Sequence, residues 1–363
     1  MIAAHAPVQR PRDAKLLVIE ANGTLQHAPR QRLADFLRAG DVLVANDAAT
    51  LPASLAGIHL RSGLPVEIRL AGRRSLAADD VREFVAVVFG AGDHRTPTER
   101  RALPPALIAD DALALGPLRA QVRHTLDHPR LIALHIDGTP DAIWAGIARH
   151  GTPVQYAHLP APLALWDVWT SVAVRPVAFE PPSAGFVLDW QLLHTLRERG
   201  VVFATLTHAA GLSSTGDAAL DARLPFDEPY HLPAATLAAS HTAHARGGRV
   251  VALGTTVTRA LEHAASRGLN AGDGVADQRI GARTKLRVVD AIISGTHEPG
   301  TSHRELLRAF ASDALLSRAD SALAARGYLT HEFGDSVLIC AQRFAAAMGH
   351  APARTIPASG PQS

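Results

Sequence analysis

"RVVALGTTVTRALEHAASRG", Arg249 to Gly268, runs from a short uninterrupted apolar segment through a glycine into a helical pattern that stops at a second glycine. The spacing predicts a strand over Arg249–Gly254, then a helix capped by threonine and ended at Gly268. Outward from it the same texture repeats. On the N-terminal side, "DWQLLHTLRERG" reads as a helix closed by Gly200, "VVFATLTHAAG" as a buried strand and "PAATLAASHTAHARGG" as a helix ending in paired glycines. On the C-terminal side, "KLRVVDAIIS" reads as a further strand, and "SHRELLRAFASDALLSRADSALAARG" as helical with a break inside it. Strands alternating with helices imply a parallel sheet with crossover helices.

The chain opens differently. "KLLVIEANGTLQHAP" alternates around Asn22-Gly23, a hairpin signal, and "PRQRLADFLRAGDVLVANDA" gives a short amphipathic helix stopped at Gly40 before the buried strand "DVLVAND". From about Gly57 to His150 short alternating runs are separated by Gly, Pro and Asp clusters, the pattern of a small all-β barrel. The expected fold is therefore α/β: a barrel-like main domain of residues 1–57 and 151–345, with residues 58–150 inserted as a β-barrel. Residues 346–363 form a polar, Pro-rich tail expected to be unfolded.

Length and composition bound the class. The 363 residues, 47% hydrophobic and 19% charged, fit a globular protein of two domains rather than a disordered or fibrous chain. Asp167 and Arg175 interrupt the most apolar run, and the N-terminus lacks an apolar targeting core, so a cytoplasmic location is expected without a membrane partner. The single cysteine, Cys340, excludes an internal disulfide and a multi-cysteine zinc site. A net charge of +2 permits a nucleic-acid partner without arguing for one.

Ligands of α/β sheets gather at the carboxyl ends of strands. The predicted strand ends offer Asn46 and Asp47, His208 with Gly211 and the following serines, Gly254 with Thr255 and Thr256, and Ser294 to His297. Gly254 permits a sharp turn, and the free N–H groups that follow suit a carboxylate, a phosphate or a ribose hydroxyl. His208, among small residues, is placed for acid–base work or hydrogen bonding, although its surroundings also read as a plain Gly/Ser loop. "HTAH" at 241–244 and "HTLDH" at 124–128 pair imidazoles on a helix face without an adjoining carboxylate at a metalloenzyme spacing. Trp166, Trp169 and Trp190 read as packing residues before stacking platforms.

Taken together, these segments resemble the tRNA ribosyltransferase-isomerase family of queuosine biosynthesis, along nearly the whole chain and in that family's order. The resemblance rests on "KLLVIEANGTLQH", "LADFLRAGDVLVAND", "LPASLAG", "AFEPPSAGF" with Ser183, Ala184 and Gly185, "THAAGLSSTGD" and "DEPYHLP". It is closest in "GRVVALGTTVTRALEHA", in "RVVDAIISGTHEPGTSHRELLRAF" with Asp290, His297 and Pro299, and in "GYLTHEFGDSVLI" with Phe333, Gly334 and Asp335. The chain departs from the pattern at Ala49 and Ser54, where the family has arginines, at Glu298 to Ser302, and at "LPFDE". Fewer cations mean fewer phosphate contacts.

The resemblance implies S-adenosylmethionine as ribosyl donor, a 7-aminomethyl-7-deazaguanine in tRNA as acceptor, and no metal, in a monomeric enzyme. It implies His208 as base with His297 as alternate, and Gly254, Thr255 and Thr256 on the donor. It further implies Asn46, Asp47 and Asp335 orienting polar groups, Ser183, Ala184, Gly185 and Gly211 at the donor, and Arg259 with Glu262 bracing the helix. Two alternatives stay open: a paralogue acting on a small molecule or free nucleoside, and a nucleoside-binding module without catalysis.

Overall fold

The protein is described by a computed structural model, in which residues 2–298 and 300–342 are placed; the expected tail at 346–363 lies outside them. Its centre is a nine-stranded mixed sheet. From one edge the order is Gly272–Ala276, Glu228–Leu232, Val202–His208, Val42–Asn46, Val250–Leu253, Ala291–Gly295, Ser336–Cys340, Lys15–Ile19 and Leu25–Pro29. The four strands from Val202–His208 to Ala291–Gly295 are mutually parallel, and antiparallel pairs flank them on both sides. The sheet is open, so the barrel-like closure expected of the main domain is not what forms: antiparallel strands terminate both edges instead of meeting. Val42, Val44, Val250, Ala252 and Ile292 pack on one side against Val257, Leu261 and Phe310, while Leu43, Val251 and Ile293 pack on the other against Leu188 and Leu196. This is the double-sided burial that lets a parallel strand dispense with polar alternation.

The inserted barrel forms as six antiparallel strands between Ser54 and Ile136, closed on themselves. Helix Pro140–His150 contributes Ile143 and Ile147 to its apolar interior. The chain enters and leaves at one point, where Ser54 and Thr152 exchange two backbone hydrogen bonds of 2.9 Å.

The hairpin at Asn22-Gly23 forms, with Gly23 in the left-handed region at φ 82°. Four local expectations are corrected. The segment Arg30–Phe36 is a 3-10 helix rather than an α-helix. The strand expected over "KLRVVDAIIS" begins only at Ala291, because the N–H groups of Arg287, Val288 and Val289 donate to the Glu262 carboxylate at 2.7, 2.9 and 2.8 Å instead of to a neighbouring strand. "HTLDH" lies in the barrel strand Leu118–His128, where a rise of about 3.3 Å per residue carries the two imidazoles apart along the strand. Helix Thr255–Ser266 is capped by Gly254 without a side-chain cap, not by a threonine. The break expected in the last helical segment falls between Ser302–Leu307 and Asp313–Ala325, where the Ser312 hydroxyl caps the second helix.

Candidate active site

The parallel strands deliver their carboxyl ends to one hollow. At the end of Val250–Leu253 the chain turns through Gly254 at φ 98° and ψ 165°, a conformation open to glycine, and starts the helix Thr255–Ser266. A Cβ on Gly254 would lie 3.2 Å from the Ala184 Cβ, so the turn and the Ser183–Val187 segment meet closely. Between them opens a cavity of about 510 Å³. Its walls come from Glu180–Ala184, Gly211–Ser213, Gly254–Thr256 with Arg259, and His297 with Thr301–Arg304. The first N–H groups of a helix have no intrahelical partner, and Thr255 and Thr256 present that end to the space. A second hollow of about 290 Å³ adjoins it and shares Glu180, Ser183, Ser213, His297 and His303.

Glu180 stands at this junction. Its side chain accepts hydrogen bonds from the Tyr156 hydroxyl and, at 3.1 Å, from the Ser213 N–H, yet burial outweighs both and raises its pKa from 4.5 to about 7. The Tyr156 hydroxyl also lies 3.0 Å from the Ser214 carbonyl, and burial followed by the Glu180 charge pushes its pKa well above 10. The carboxyl therefore titrates where acid–base catalysis at neutral pH needs it. His297 and His303 stack with ring centroids 4.3 Å apart. Burial, and for His297 also the neighbouring imidazoles His303 and His331, hold both below the ordinary histidine value, so both are neutral near pH 7.

Of the residues singled out in the sequence, Ser183, Ala184, Gly211, Gly254, Thr255, Thr256, Arg259 and His297 line the larger cavity. His208 does not. Its backbone is clamped by Asn46, whose side chain accepts from the His208 N–H at 3.0 Å and donates to its carbonyl at 2.9 Å. The ring lies fully buried outside the cavity lining, 3.5 Å from the Glu228 carboxylate, with neither nitrogen hydrogen-bonded among the described residues. Burial, and then the charge of Arg259, lower its pKa well below 6.5.

Asn46 and Asp47 are likewise absent from the lining. Asp47 accepts from the Thr207 hydroxyl at 2.6 Å, tying adjacent strands. Asp335 accepts from the N–H groups of Lys15 and Leu329 at 2.6 and 2.8 Å and fastens a strand end away from the cavity. Gly185 faces Thr170, where a Cβ would come within 2.8 Å of a methyl. Arg259 pairs with the buried Glu228 and donates to the Ala276 carbonyl at 2.8 Å, and Glu228 in turn accepts from the Gly211 N–H at 2.6 Å. Glu298 is exposed and outside the lining, and Pro299 lies outside the described residues.

Glu180, Tyr156, Glu228 and His303 were not singled out. Glu180 lies within "AFEPPSAGF", where a carboxylate ending an apolar run ahead of two prolines was the available signal; Tyr156 had none.

The profile of the family described as "Queuosine biosynthesis protein" matches residues 1–339. Among curated relatives, the S-adenosylmethionine:tRNA ribosyltransferase-isomerase of Pelobacter propionicus is 32% identical over 349 residues, covering 93% of this chain and 96% of its own. The protein of the same name from Acaryochloris marina is 34% identical over 343 residues, covering 91% and 88%. A crystal structure described as S-adenosylmethionine tRNA ribosyltransferase from Thermotoga maritima aligns over 93% of this chain and 96% of that one, at 22% identity and a TM-score of 0.49. The profile match over residues 1–339 of this chain, with relatives covered over nearly their full length, shows that this chain belongs to the queuosine biosynthesis protein family.

Proposed function

We propose that this chain is an enzyme that transfers and isomerises the ribosyl moiety of S-adenosylmethionine onto a 7-aminomethyl-7-deazaguanine in tRNA, giving epoxyqueuosine. The observation that carries the reading is a carboxyl titrating near pH 7, Glu180, set in a cavity walled on its other side by the helix start at Gly254–Thr256. The helix N-terminus receives a carboxylate or ribose hydroxyl of the donor. The sulfonium makes the adjoining ribose C–H acidic and, brought near Glu180, also favours its ionised form. Glu180 thus becomes a base as the donor binds and removes that proton, while neutral His297 handles the proton of the acceptor amine. Ser183, Ala184, Gly211 and Arg259 complete the donor wall, and His208, Asn46, Asp47 and Asp335 serve by holding strand ends. The donor carries its own leaving groups, adenine and methionine, so the transfer itself calls on no metal. The same reading takes residues 1–57 and 151–345 as the catalytic unit and 58–150 as the insertion, in a cytoplasmic monomer.

A small-molecule acceptor is the second reading. It is favoured by the pairing of two arginines of the cavity wall, Arg304 with Asp320 and Arg308 with Glu305 and Asp313, which offsets charge a polyanion would use. Incubation with S-adenosylmethionine, with and without precursor tRNA, tests both. Free adenine appearing only with tRNA is expected; release without tRNA points to the second reading, and binding without release refutes catalysis.

A further inference from the structure

The smaller hollow carries a cluster, His158, His331 and Glu332, that the ribosyl transfer does not use. Its lining carries His158, His297, His303 and His331 with Glu99, Glu180 and Glu332, and neither arginine nor lysine. Carboxylates without cations repel a phosphate or carboxylate ligand and attract a cation. We propose that His158, His331 and Glu332 form a binding site for one divalent first-row transition cation, zinc first among them, with its open position toward this hollow.

Three observations support the assignment. One ligand atom from each of the three residues lies within 4.8 Å of the others. The His158 Nε2 is already 3.0 Å from the Glu332 Oε2, within a few tenths of an ångström of the roughly 3.4 Å between donors around a tetrahedral ion with bonds of about 2.1 Å. The His331 ring lies over that of His158 at 4.3 Å and 21°, and among the described residues nothing hydrogen-bonds either of its nitrogens. A modest tilt of this ring out of the stack supplies the third donor. His331 also adopts φ 70°, a conformation uncommon for a residue with a side chain. Its N–H donates to the Thr296 carbonyl at 3.2 Å and its carbonyl accepts from Gly334 at 3.0 Å, so the backbone that carries the ring is held on both sides.

The donor set selects among cations. Two imidazoles and a carboxylate suit zinc and its first-row neighbours, whereas magnesium and calcium favour all-oxygen shells. Three protein donors leave room for a water or a substrate oxygen, on the side where Glu180 and His297 also stand.

The test uses the full chain, stripped with a chelator and then titrated with Zn²⁺ by calorimetry and with Co²⁺ by visible absorption. One cation per chain is expected, with cobalt ligand-field bands from nitrogen and oxygen donors. H331N, chosen because asparagine tolerates the left-handed backbone, and the near-isosteric E332Q should each weaken binding by at least about 100-fold while circular dichroism stays unchanged. H194A removes an exposed His–Glu pair elsewhere on the surface and should leave binding intact. Absence of stoichiometric binding, binding that survives both H331N and E332Q, or binding lost in H194A overturns the proposal.

Discussion

Replacing Glu180 by glutamine should separate what the carboxyl does in the cavity from what its burial does to the fold. The folded protein holds the Glu180 proton up to about pH 7, whereas an ordinary glutamate releases it near 4.5. The native state therefore binds more protons between those values, and the associated stability is complete below about pH 4.5 and lost as pH rises through about 7. That displacement corresponds to about 3 kcal/mol. Glutamine imitates the protonated form: its amide nitrogen can donate to the Tyr156 oxygen, the Tyr156 hydroxyl donates to the Ser214 carbonyl at 3.0 Å, and its oxygen accepts from the Ser213 N–H. The variant has no proton to lose. Urea unfolding of both proteins across pH should give similar stabilities at about pH 5 and an advantage to Glu180→Gln of about 3 kcal/mol at about pH 8.5. Turnover should fall by about 10² to 10⁴, the range for loss of a general base. A stability difference that is constant with pH, or that shrinks as pH rises, would refute the reasoning. So would full turnover in the variant.

His208→Gln should behave in the opposite sense. The His208 pKa is lowered by burial, so its contribution is present above about pH 6.5 and lost as pH falls; unfolding at about pH 5 and about pH 7.5 should show a flatter acid limb for the variant. Because the ring lies outside the cavity, turnover should drop by less than about 10²; a larger drop in a protein of native stability would return His208 to the chemistry. Arg259→Ala leaves Glu228 buried without its guanidinium and should destabilise by about 3 to 5 kcal/mol, with Glu228→Gln recovering a good part in the double variant. Denaturant midpoints of the two single variants and the double variant check this, and strict additivity would contradict it.

The crossover strands were legible because burial on both sheet faces leaves an unmixed apolar run, as in Val250–Leu253. The barrel was legible from alternation. Arg287–Val289 misled because an apolar segment of that length is compatible with a ladder, and whether one forms depends on Glu262, 25 residues earlier, taking its N–H groups. The Gly254, Thr255 and Thr256 corner was readable as a local turn. Glu180 was not, since its environment comes from Tyr156, 24 residues before it, and Ser213, 33 after. His208 shows the limit from the other side. A histidine at a strand end is easy to find, but its backbone is clamped by Asn46 on the next strand and its ring is buried outside the cavity lining, neither of which local sequence shows.

The entry and exit of the barrel, joined at Ser54 and Thr152, offer a seam for excising it. The interior forbids it. Phe179 meets Phe84 edge-on, and Leu212 and Leu220 complete the same apolar cluster, while their chain neighbours Glu180 and Ser213 face the hollow. Excising the insertion would leave these three side chains bare and release the two segments that set the height of the carboxyl. Sequence drift inside the barrel is thus restrained by the shape of the candidate site as well as by folding.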